Sequence, residues 1–260
     1  MLNKVKKILL KKNKTKIVSL TAYSKNIAKI LDKHSDLILV GDSMANVLYG
    51  MKNTHQVSMD NIIQHGLSVR KGIKKSLMVV DMPKGTYINK KQAKKNAILI
   101  LRKTKCEAIK IESNSKNYEI ISHLVKAKIP VMGHIGYTPQ FKKKFKVEGR
   151  NINELKKLIK EAKLIEKAGA FSIILECITP KAANIITKLL KIPTIGIGSS
   201  SYCDGQILVT DDILGLSGFY PKFVKKYTNL NTVIEKAVKK YSKEVKNIKF
   251  PKKNNFLYGK

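Results

Sequence analysis

The sequence has few acidic residues, very little arginine and no tryptophan. Its 260 residues contain 18 Asp and Glu against 52 Lys and Arg, and only three of the basic residues are Arg, so lysine supplies nearly all of the formal net charge of +34. Proteins that read nucleic acids rely on arginine and aromatic side chains for bidentate and stacking contacts. Because arginine is scarce and tryptophan is absent, the charge favours solvated lysines over a specific nucleic-acid partner.

Cysteines and long apolar runs are also scarce. Cys106, Cys177 and Cys203 are too few and too widely spaced for a disulfide framework or a zinc site. No apolar run approaches the roughly 18 residues of a membrane span, and the N-terminus lacks the apolar core and cleavage site of a signal peptide. The sequence therefore predicts a cytoplasmic protein without a membrane partner, with enough hydrophobic residues (43%) for a sizeable core.

Short apolar runs alternate with segments of helical spacing along most of the chain. The eight runs are Ile17–Leu20, Leu37–Val40, Leu77–Val80, Ala108–Ile111, Pro130–Met132, Ser172–Leu175, Pro193–Ile197 and Ile207–Val209. The alternation predicts βα units, and eight of them in this length favour a closed (β/α)8 TIM barrel forming one domain over residues 1–260. The Lys-rich ends, about 1–14 and 248–260, are expected to be frayed or to depend on a partner for their structure. No glycine-rich dinucleotide or P-loop motif accompanies the strands.

Carboxylates follow three consecutive apolar runs, at Asp42, Asp81 and Glu112. The carboxyl ends of barrel strands converge at one rim, where like charges repel unless a cation neutralises them. Oxygen ligands without cysteine or paired histidines favour Mg²⁺. The set therefore predicts a magnesium site, although each residue taken alone is also a common helix cap.

Three more polar residues lie near the carboxyl ends of predicted strands: Lys110 in the fourth apolar run, His134 after the fifth and Glu176 after the sixth. Lys110 shares a strand face with Glu112 and is predicted to hold an anionic substrate, unless it only forms an ion pair. Glu176 ends an almost wholly apolar run, so burial would raise its pKa toward that of a general base, unless a lysine pairs with it. His134, between two glycines, would bond a substrate oxygen or serve as a core histidine.

Several longer motifs resemble the ketopantoate hydroxymethyltransferase family. In chain order they are KIVSLTAYS, LILVGDSMANVLYG, DMP-x-x-x-Y, AIKIE, IPVMGHIGYTPQ, AGAFSIILE, IPTIGIGSS and YCDGQILVTDDILGL, within about Lys16 to Tyr227. The resemblance implies a barrel of the phosphoenolpyruvate/pyruvate superfamily, a Mg²⁺ cofactor and a homo-oligomer, often a decamer. It also implies a step of pantothenate synthesis, in which a one-carbon unit passes from 5,10-methylenetetrahydrofolate to 3-methyl-2-oxobutanoate, giving 2-dehydropantoate and tetrahydrofolate.

The resemblance, joined with the pattern of strand ends, assigns roles to individual residues. The predicted sets are the metal ligands Asp42, Asp81 and Glu112, the substrate-binding residues Asp42, Ser43, Asp81, Lys110 and His134, and the proton acceptor Glu176. The chain departs from the usual family pattern at Ser24, Lys84, Ser113-Asn114 and Ser199-Ser200, where Asp, Phe, Gly-Gly and Ala-Gly are usual. None of these departures removes a predicted ligand or the predicted base.

Two other functions fit parts of the sequence. Another Mg²⁺-dependent α-keto-acid carbon–carbon lyase or mutase of the same superfamily would usually carry a K-[KR]-C-G-H-like loop, and none of the three cysteines lies in one. A basic nucleic-acid-binding barrel would depend on the lysines and would bind with a steep dependence on salt.

Overall fold

The strands of this protein form a closed barrel. The computed structural model describes residues 2–113, 117–142, 145–218 and 220–255. Within these ranges eight parallel strands pair in sequence order around one ring, which confirms the predicted TIM barrel. The strands are β1 Ile17–Thr21, β2 Leu37–Val40, β3 Leu77–Asp81, β4 Ala108–Glu112, β5 Val131–Gly136, β6 Ser172–Glu176, β7 Thr194–Ile197 and β8 Gly205–Leu208.

Helices separate most of the strands. They are α1 Leu2–Leu9, α2 Lys25–Leu31, α3 Met44–Val47, α4 Met59–Arg70, α5 Lys90–Thr104, α6 Tyr118–Lys126, α7 Ile152–Lys167, α8 Pro180–Leu189, α9 Thr210–Leu214 and α10 Leu230–Lys246. Polar side chains cap the starts of α4, α5, α7 and α8, where Ser58, Asn89, Asn151 and Thr179 each accept a hydrogen bond from the N–H three residues on. The long helices from α2 to α8 contact one another in chain order, as in the outer ring of a barrel.

Several strands extend further toward their carboxyl ends than the apolar pattern predicts. Asp81, Glu112 and Glu176 are the last residues of β3, β4 and β6 rather than the first residues of loops. The register pairs Asp81 with Lys110, and Glu112 with His134. Backbone hydrogen bonds of a parallel ladder do not depend on side-chain polarity, so the ladder continues where the apolar run stops. The sheet itself therefore positions these charged side chains.

The first Lys-rich segment is folded, so the expectation that it frays is wrong. Val5 and Ile8 of α1 are 6% and 2% exposed and lie in the apolar cluster that contains the first residues of β1, β2 and β3. A spacing of three residues places both side chains on one helix face, while Lys6 and Lys7 between them are exposed. In the sequence this apolar patch is short and has lysines on both sides, yet its Val5 and Ile8 pack against the amino end of the barrel.

The chain divides into two compact units, Met1–Thr210 and Asp211–Lys260. All the strands named above belong to the first unit, and α10, which has no buried residue, belongs to the second. The single domain over 1–260 stays a prediction, and the Lys-rich segment expected at 248–260 lies outside the described residues from 256 onward. Among the helices described, none combines the length and apolar character needed to cross a membrane.

Five carboxylates stabilise the amino ends of the strands. Each accepts a hydrogen bond from a backbone N–H at or near a strand start; the five are Asp32, Asp36, Glu107, Glu166 and Asp204. Asp204 also joins distant parts of the chain: its Oδ2 accepts from Thr194 N and Lys12 Nζ, both at 2.8 Å, and its Oδ1 accepts from Asn13 N at 3.2 Å. This carboxylate ties β7 to the segment that follows α1.

We expect Asp204→Asn to lower the free energy of unfolding at neutral pH by about 2–4 kcal/mol, since a buried carboxylate loses charge-assisted hydrogen bonds. Burial raises the pKa of Asp204, but Lys12 and the N–H groups of Thr194 and Asn13 outweigh it, so the pKa lies below its ordinary value. The carboxylate therefore stabilises the fold above the ordinary Asp pKa, and this contribution is lost as pH falls through the lower folded-state pKa.

Denaturant unfolding across that pH range measures the effect. The difference between wild type and Asp204→Asn should shrink as the solution is acidified. Asp60→Asn, at an exposed position in the first turn of α4, is the control and should cost only a few tenths of a kcal/mol. An Asp204→Asn difference that stays constant with pH would contradict the assignment.

Candidate active site

Four carboxylates and one lysine lie together at the carboxyl ends of neighbouring strands. Asp42 follows β2, Asp81 ends β3, Lys110 and Glu112 belong to β4, and Glu176 ends β6. The first four of these side chains belong to residues that are at most 5% exposed, whereas Glu176 keeps 18% of its side-chain surface accessible. The structure thus brings together the predicted ligands, the predicted substrate lysine and the predicted base.

Lys110 supplies positive charge to this group. Its Nζ lies 2.8 Å from Asp81 Oδ1 and 4.0 Å from Glu112 Oε1. Burial alone lowers the pKa of Lys110, but Asp81 and Glu112 raise it above its ordinary value, so the ammonium stays charged. Burial raises the pKa of Asp81 to about 7, and Asp42 adds to the rise while Lys110 opposes it. Lys110 therefore does form ion pairs with neighbouring carboxylates, and the shorter of the two is with Asp81.

Each of the three candidate metal ligands has one oxygen held by an N–H group. The backbone N–H of Asp42 donates to Asp81 Oδ2 at 2.9 Å. Gln140 donates from its backbone N–H to Glu112 Oε2 at 2.9 Å, and from its side-chain Nε2 to Asp42 Oδ2 at 2.8 Å. Asp81 and Glu112 end strands, so their positions differ from those of helix caps. Ser43, the N-cap of α3, makes no side-chain cap hydrogen bond.

The donor set has the chemistry of a site for a hard divalent cation. Asp42, Asp81 and Glu112 offer buried carboxylate oxygens, and Asp81 Oδ1 is buried with an ion pair but no hydrogen bond of regular geometry. Oxygen donors of this kind are the ligands that Mg²⁺ prefers. In the part of the chain that the structure describes, however, no three His, Cys, Asp or Glu side chains converge on a common point. The residue types fit the ion, and the ammonium of Lys110 neutralises part of the negative charge of these carboxylates.

His134 lies between two of the carboxylates. Its Nδ1 is 3.6 Å from Glu112 Oε1 and 3.5 Å from Lys110 Nζ, and its Nε2 is 3.1 Å from Glu176 Oε2, without the angle of a hydrogen bond. Burial and the charge of Lys110 place the pKa of His134 well below its ordinary value, so the ring is neutral. In a neutral ring protonated on Nε2, Nδ1 accepts from Lys110, whereas Nε2–H lies near Glu176 without a hydrogen bond of regular geometry.

Glu176 has the environment predicted for a general base. Burial raises its pKa to about 7, although Lys110 opposes the rise. Among the described residues no lysine forms an ion pair with Glu176, so the alternative of a carboxylate paired with a lysine is not met there. The titratable side chain next to Glu176 is the neutral ring of His134. A carboxylate with this pKa is poised to accept a proton near neutral pH.

The last residue of β5 allows the chain to approach Glu176 closely. Gly136 pairs with Glu176 in the ladder and has a φ of +92°. A Cβ at this position would lie 2.1 Å from the carbonyl oxygen of Glu176, and that same oxygen accepts a hydrogen bond from Tyr137 N at 2.8 Å. Only glycine satisfies both the backbone conformation and the close approach.

Three residues of the site escaped the sequence analysis: Tyr23, Tyr87 and Gln140. The Tyr23 hydroxyl lies 2.8 Å from Ser43 Oγ, and the Tyr87 hydroxyl donates to Gln140 Oε1 at 2.5 Å. All three stand inside motifs already recognised, TAYS, DMP-x-x-x-Y and GHIGYTPQ, so their membership of those motifs was the available signal. Because their side chains are uncharged, no pattern of charge along the sequence marks them. Their place in the site depends on contacts between segments that are distant in the chain.

Local contacts accommodate most of the departures from the family pattern. Lys84 Nζ lies 3.2 Å from His55 Nδ1, Ser113 Oγ donates to Asn117 Oδ1 at 3.2 Å, and Ser199 Oγ donates to the Leu175 carbonyl at 2.9 Å. Ser24 is the N-cap residue of α2 but its side chain makes no cap hydrogen bond. Asn114 lies outside the described residues.

Comparison with known proteins points to one family. Residues 3–253 match the family model described as ketopantoate hydroxymethyltransferase. The chain is 54% identical over 252 residues to the 3-methyl-2-oxobutanoate hydroxymethyltransferase of Pelagibacter ubique (strain HTCC1062), an alignment that covers 97% of this chain and 98% of that protein.

Solved structures share the fold at much lower identity. A phosphonopyruvate hydrolase in complex with oxalate and Mg²⁺ is 12% identical with a TM-score of 0.61, covering 95% of this chain and 87% of that one. A 2,3-dimethylmalate lyase of the PEP mutase/isocitrate lyase superfamily is 13% identical with a TM-score of 0.60, covering 98% and 92%. At these identities the likeness shows the barrel fold alone.

We expect Gly136→Ala to destabilise the protein by more than about 3 kcal/mol, because strain at positive φ adds to a backbone clash. Gly85→Ala is the matched control, since Gly85 has a similar φ of +82° but nothing within 4 Å of the added Cβ; it should cost about 1 kcal/mol. Thermal and denaturant unfolding measure both. Equal losses in the two variants would show that the close approach to Glu176 imposes no cost.

Proposed function

Because the chain belongs to the ketopantoate hydroxymethyltransferase family, we propose that it transfers a one-carbon unit from 5,10-methylenetetrahydrofolate to 3-methyl-2-oxobutanoate. The products are 2-dehydropantoate and tetrahydrofolate, and atom balance requires one water to supply the new hydroxyl. Family membership supports an enzyme of pantothenate biosynthesis. One observation supports the proposal most directly. A single rim of the barrel contains both Glu176, a carboxylate with a raised pKa, and the buried carboxylate oxygens of Asp42, Asp81 and Glu112.

We propose that Asp42, Asp81 and Glu112 hold Mg²⁺. When bound, the ion would polarise the keto and carboxylate oxygens of the substrate and stabilise the negative charge that develops when the C3 proton leaves. The carboxylate donors support this assignment, as does the similar barrel that was solved with oxalate and Mg²⁺. Because the substrate would bind through the ion, Asp42 and Asp81 would contribute to substrate binding as well as to metal binding.

The remaining residues would bind the keto acid and move its proton. Glu176 accepts the C3 proton. His134, whose Nε2 lies 3.1 Å from Glu176 Oε2, donates a hydrogen bond to a substrate oxygen beside that carboxylate. Lys110 provides a buried ammonium for an anionic oxygen of the substrate. Ser43 adds a hydroxyl whose direction Tyr23 fixes from 2.8 Å. A substrate held in this way presents one face of its nucleophilic carbon to the folate.

We also propose a cytoplasmic homo-oligomer, a decamer by the family resemblance, without a specific nucleic-acid partner or a membrane partner. The three free, buried cysteines suit a reducing compartment. Val233, Ile234 and Val238 on α10 are each about half exposed, and apolar side chains at helical spacing on a surface favour contact with another protein surface. The alternative of a carbon–carbon lyase or mutase has fold likeness alone in its support.

Purified protein incubated with the keto acid, methylenetetrahydrofolate and Mg²⁺ should form 2-dehydropantoate, and a chelator should abolish the activity reversibly. In calorimetry, an Asp42→Asn/Asp81→Asn double variant should bind Mg²⁺ at least about 10-fold more weakly than wild type, because two anionic ligands are neutralised. Asp60→Asn should bind it normally. Unchanged affinity in the double variant would place the ion elsewhere.

Glu176→Gln should lower kcat by about 10²–10⁴, because the amide has the shape of the carboxylate but cannot accept the C3 proton. Hydrogen–deuterium exchange at C3 of the keto acid, measured in deuterated water without folate, isolates this step from one-carbon transfer. Glu161→Gln on α7 is the control. Normal exchange in a folded Glu176→Gln variant would assign the base to another residue.

A further inference from the structure

Gln140 is the most completely bonded neutral side chain at the candidate active site. It is fully buried in the loop after β5. Its Nε2 donates to Asp42 Oδ2 at 2.8 Å and to the Met82 carbonyl at 3.0 Å, and its Oε1 accepts from the Tyr87 hydroxyl at 2.5 Å. Its backbone N–H donates to Glu112 Oε2 at 2.9 Å. One residue thus contacts the segments that follow or end β2, β3 and β4.

These partners fix the orientation of the Gln140 amide. The Met82 carbonyl can only accept, so the NH₂ end must face it, and the same end then faces Asp42. The oxygen end is left for Tyr87, whose hydroxyl must therefore donate. Burial and the charges of Glu112, Asp42 and Asp81 raise the pKa of Tyr87 well above its ordinary value, which keeps that proton in place. Rotating the side-chain amide by 180°, so that Oε1 and Nε2 trade positions, would break these hydrogen bonds.

We infer that Gln140 is a positioning residue for the divalent cation, fixing one oxygen of Asp42 and one of Glu112 so that their other oxygens are directed to the ion. This inference rests on the proposed function, in which those two carboxylates hold Mg²⁺. Of the three N–H donors that hold one oxygen of each candidate ligand, Gln140 supplies two, and the third is the backbone N–H of Asp42 itself.

A neutral donor suits this position for an electrostatic reason. Buried carboxylates need hydrogen-bond partners, but every cationic partner reduces their attraction for a metal ion, as Lys110 already does for Asp81. The Gln140 amide satisfies carboxylate oxygens without adding charge. Partners of this kind, in contact with the ligands rather than the ion, typically change metal affinity 10–100-fold when they are removed.

The test compares Mg²⁺ affinity with stability in four forms of the full-length protein. Gln140→Leu removes the side-chain amide at nearly constant volume and keeps the backbone N–H. Tyr87→Phe removes only the hydroxyl that anchors the amide. Gln64→Leu, at an exposed position of α4, is the matched control, and wild type is the reference. Titration calorimetry with Mg²⁺ gives the affinity, thermal unfolding in chelator gives the stability without metal, and kcat is measured as Mg²⁺ is raised to saturation.

Gln140→Leu should bind Mg²⁺ about 10–100-fold more weakly than wild type, Tyr87→Phe should be weakened less, and Gln64→Leu should be unchanged. Raising Mg²⁺ should recover part of the activity that Gln140→Leu loses. A folded Gln140→Leu variant with a lower unfolding temperature but an affinity within about twofold of wild type would show a merely structural role and overturn the inference.

If Gln140→Leu does not fold, Tyr87→Phe decides, and an unchanged affinity there overturns the inference. A wild-type protein that binds no Mg²⁺ would overturn the proposed metal site together with this inference. That outcome is distinct from one in which wild type binds Mg²⁺ and the Gln140 variant binds it equally well.

Discussion

Negative charge buried at one end of the barrel is the constraint on which the rest of the site depends. Asp42, Asp81, Glu112 and Glu176 face a single buried lysine, so their full ionisation leaves an excess of negative charge away from water. The imbalance is relieved in part by protons, since burial raises the pKa of Asp81 and of Glu176 to about 7. The divalent cation proposed above would relieve it further by favouring the ionised carboxylates. Carbon-acid chemistry needs the same combination of a base with a raised pKa and a nearby positive charge.

The scarce carboxylates of this chain are concentrated at the two ends of its barrel. At the amino ends of the strands they accept hydrogen bonds from backbone N–H groups, and such bonds help to lower the pKa of Asp32 and of Asp204. At the carboxyl ends they lie close to one another, and burial raises the pKa of Asp81, Glu112 and Glu176. Carboxylates thus stabilise the fold at one end of the barrel and form the candidate active site at the other. The lysines, spread over the helices, are mostly solvated.

The sequence predicted the strands and the charged residues of the site because both leave local signals. An apolar run interrupted by a carboxylate is visible along the chain, and strand ends of a barrel must converge. The contacts of Gln140 were not visible, since its side-chain amide donates to Asp42 after β2 and its backbone N–H donates to Glu112 at the end of β4. The burial of α1 escaped for a related reason. Its two inward residues gain their meaning only from the cluster that they join.

The contact between Lys12 and Asp204 spans 192 positions of the chain, and β1 forms its second ladder with β8. Neither interaction exists until nearly the whole of the first unit has been synthesised. α1 is synthesised before the strands, so its apolar face stays uncovered until the amino end of the barrel has formed. Contacts of such long sequence separation make folding slow and leave apolar surface exposed to other chains in the meantime. The lysines around that face give every unfinished chain the same sign of charge, and like charges oppose contact between such chains.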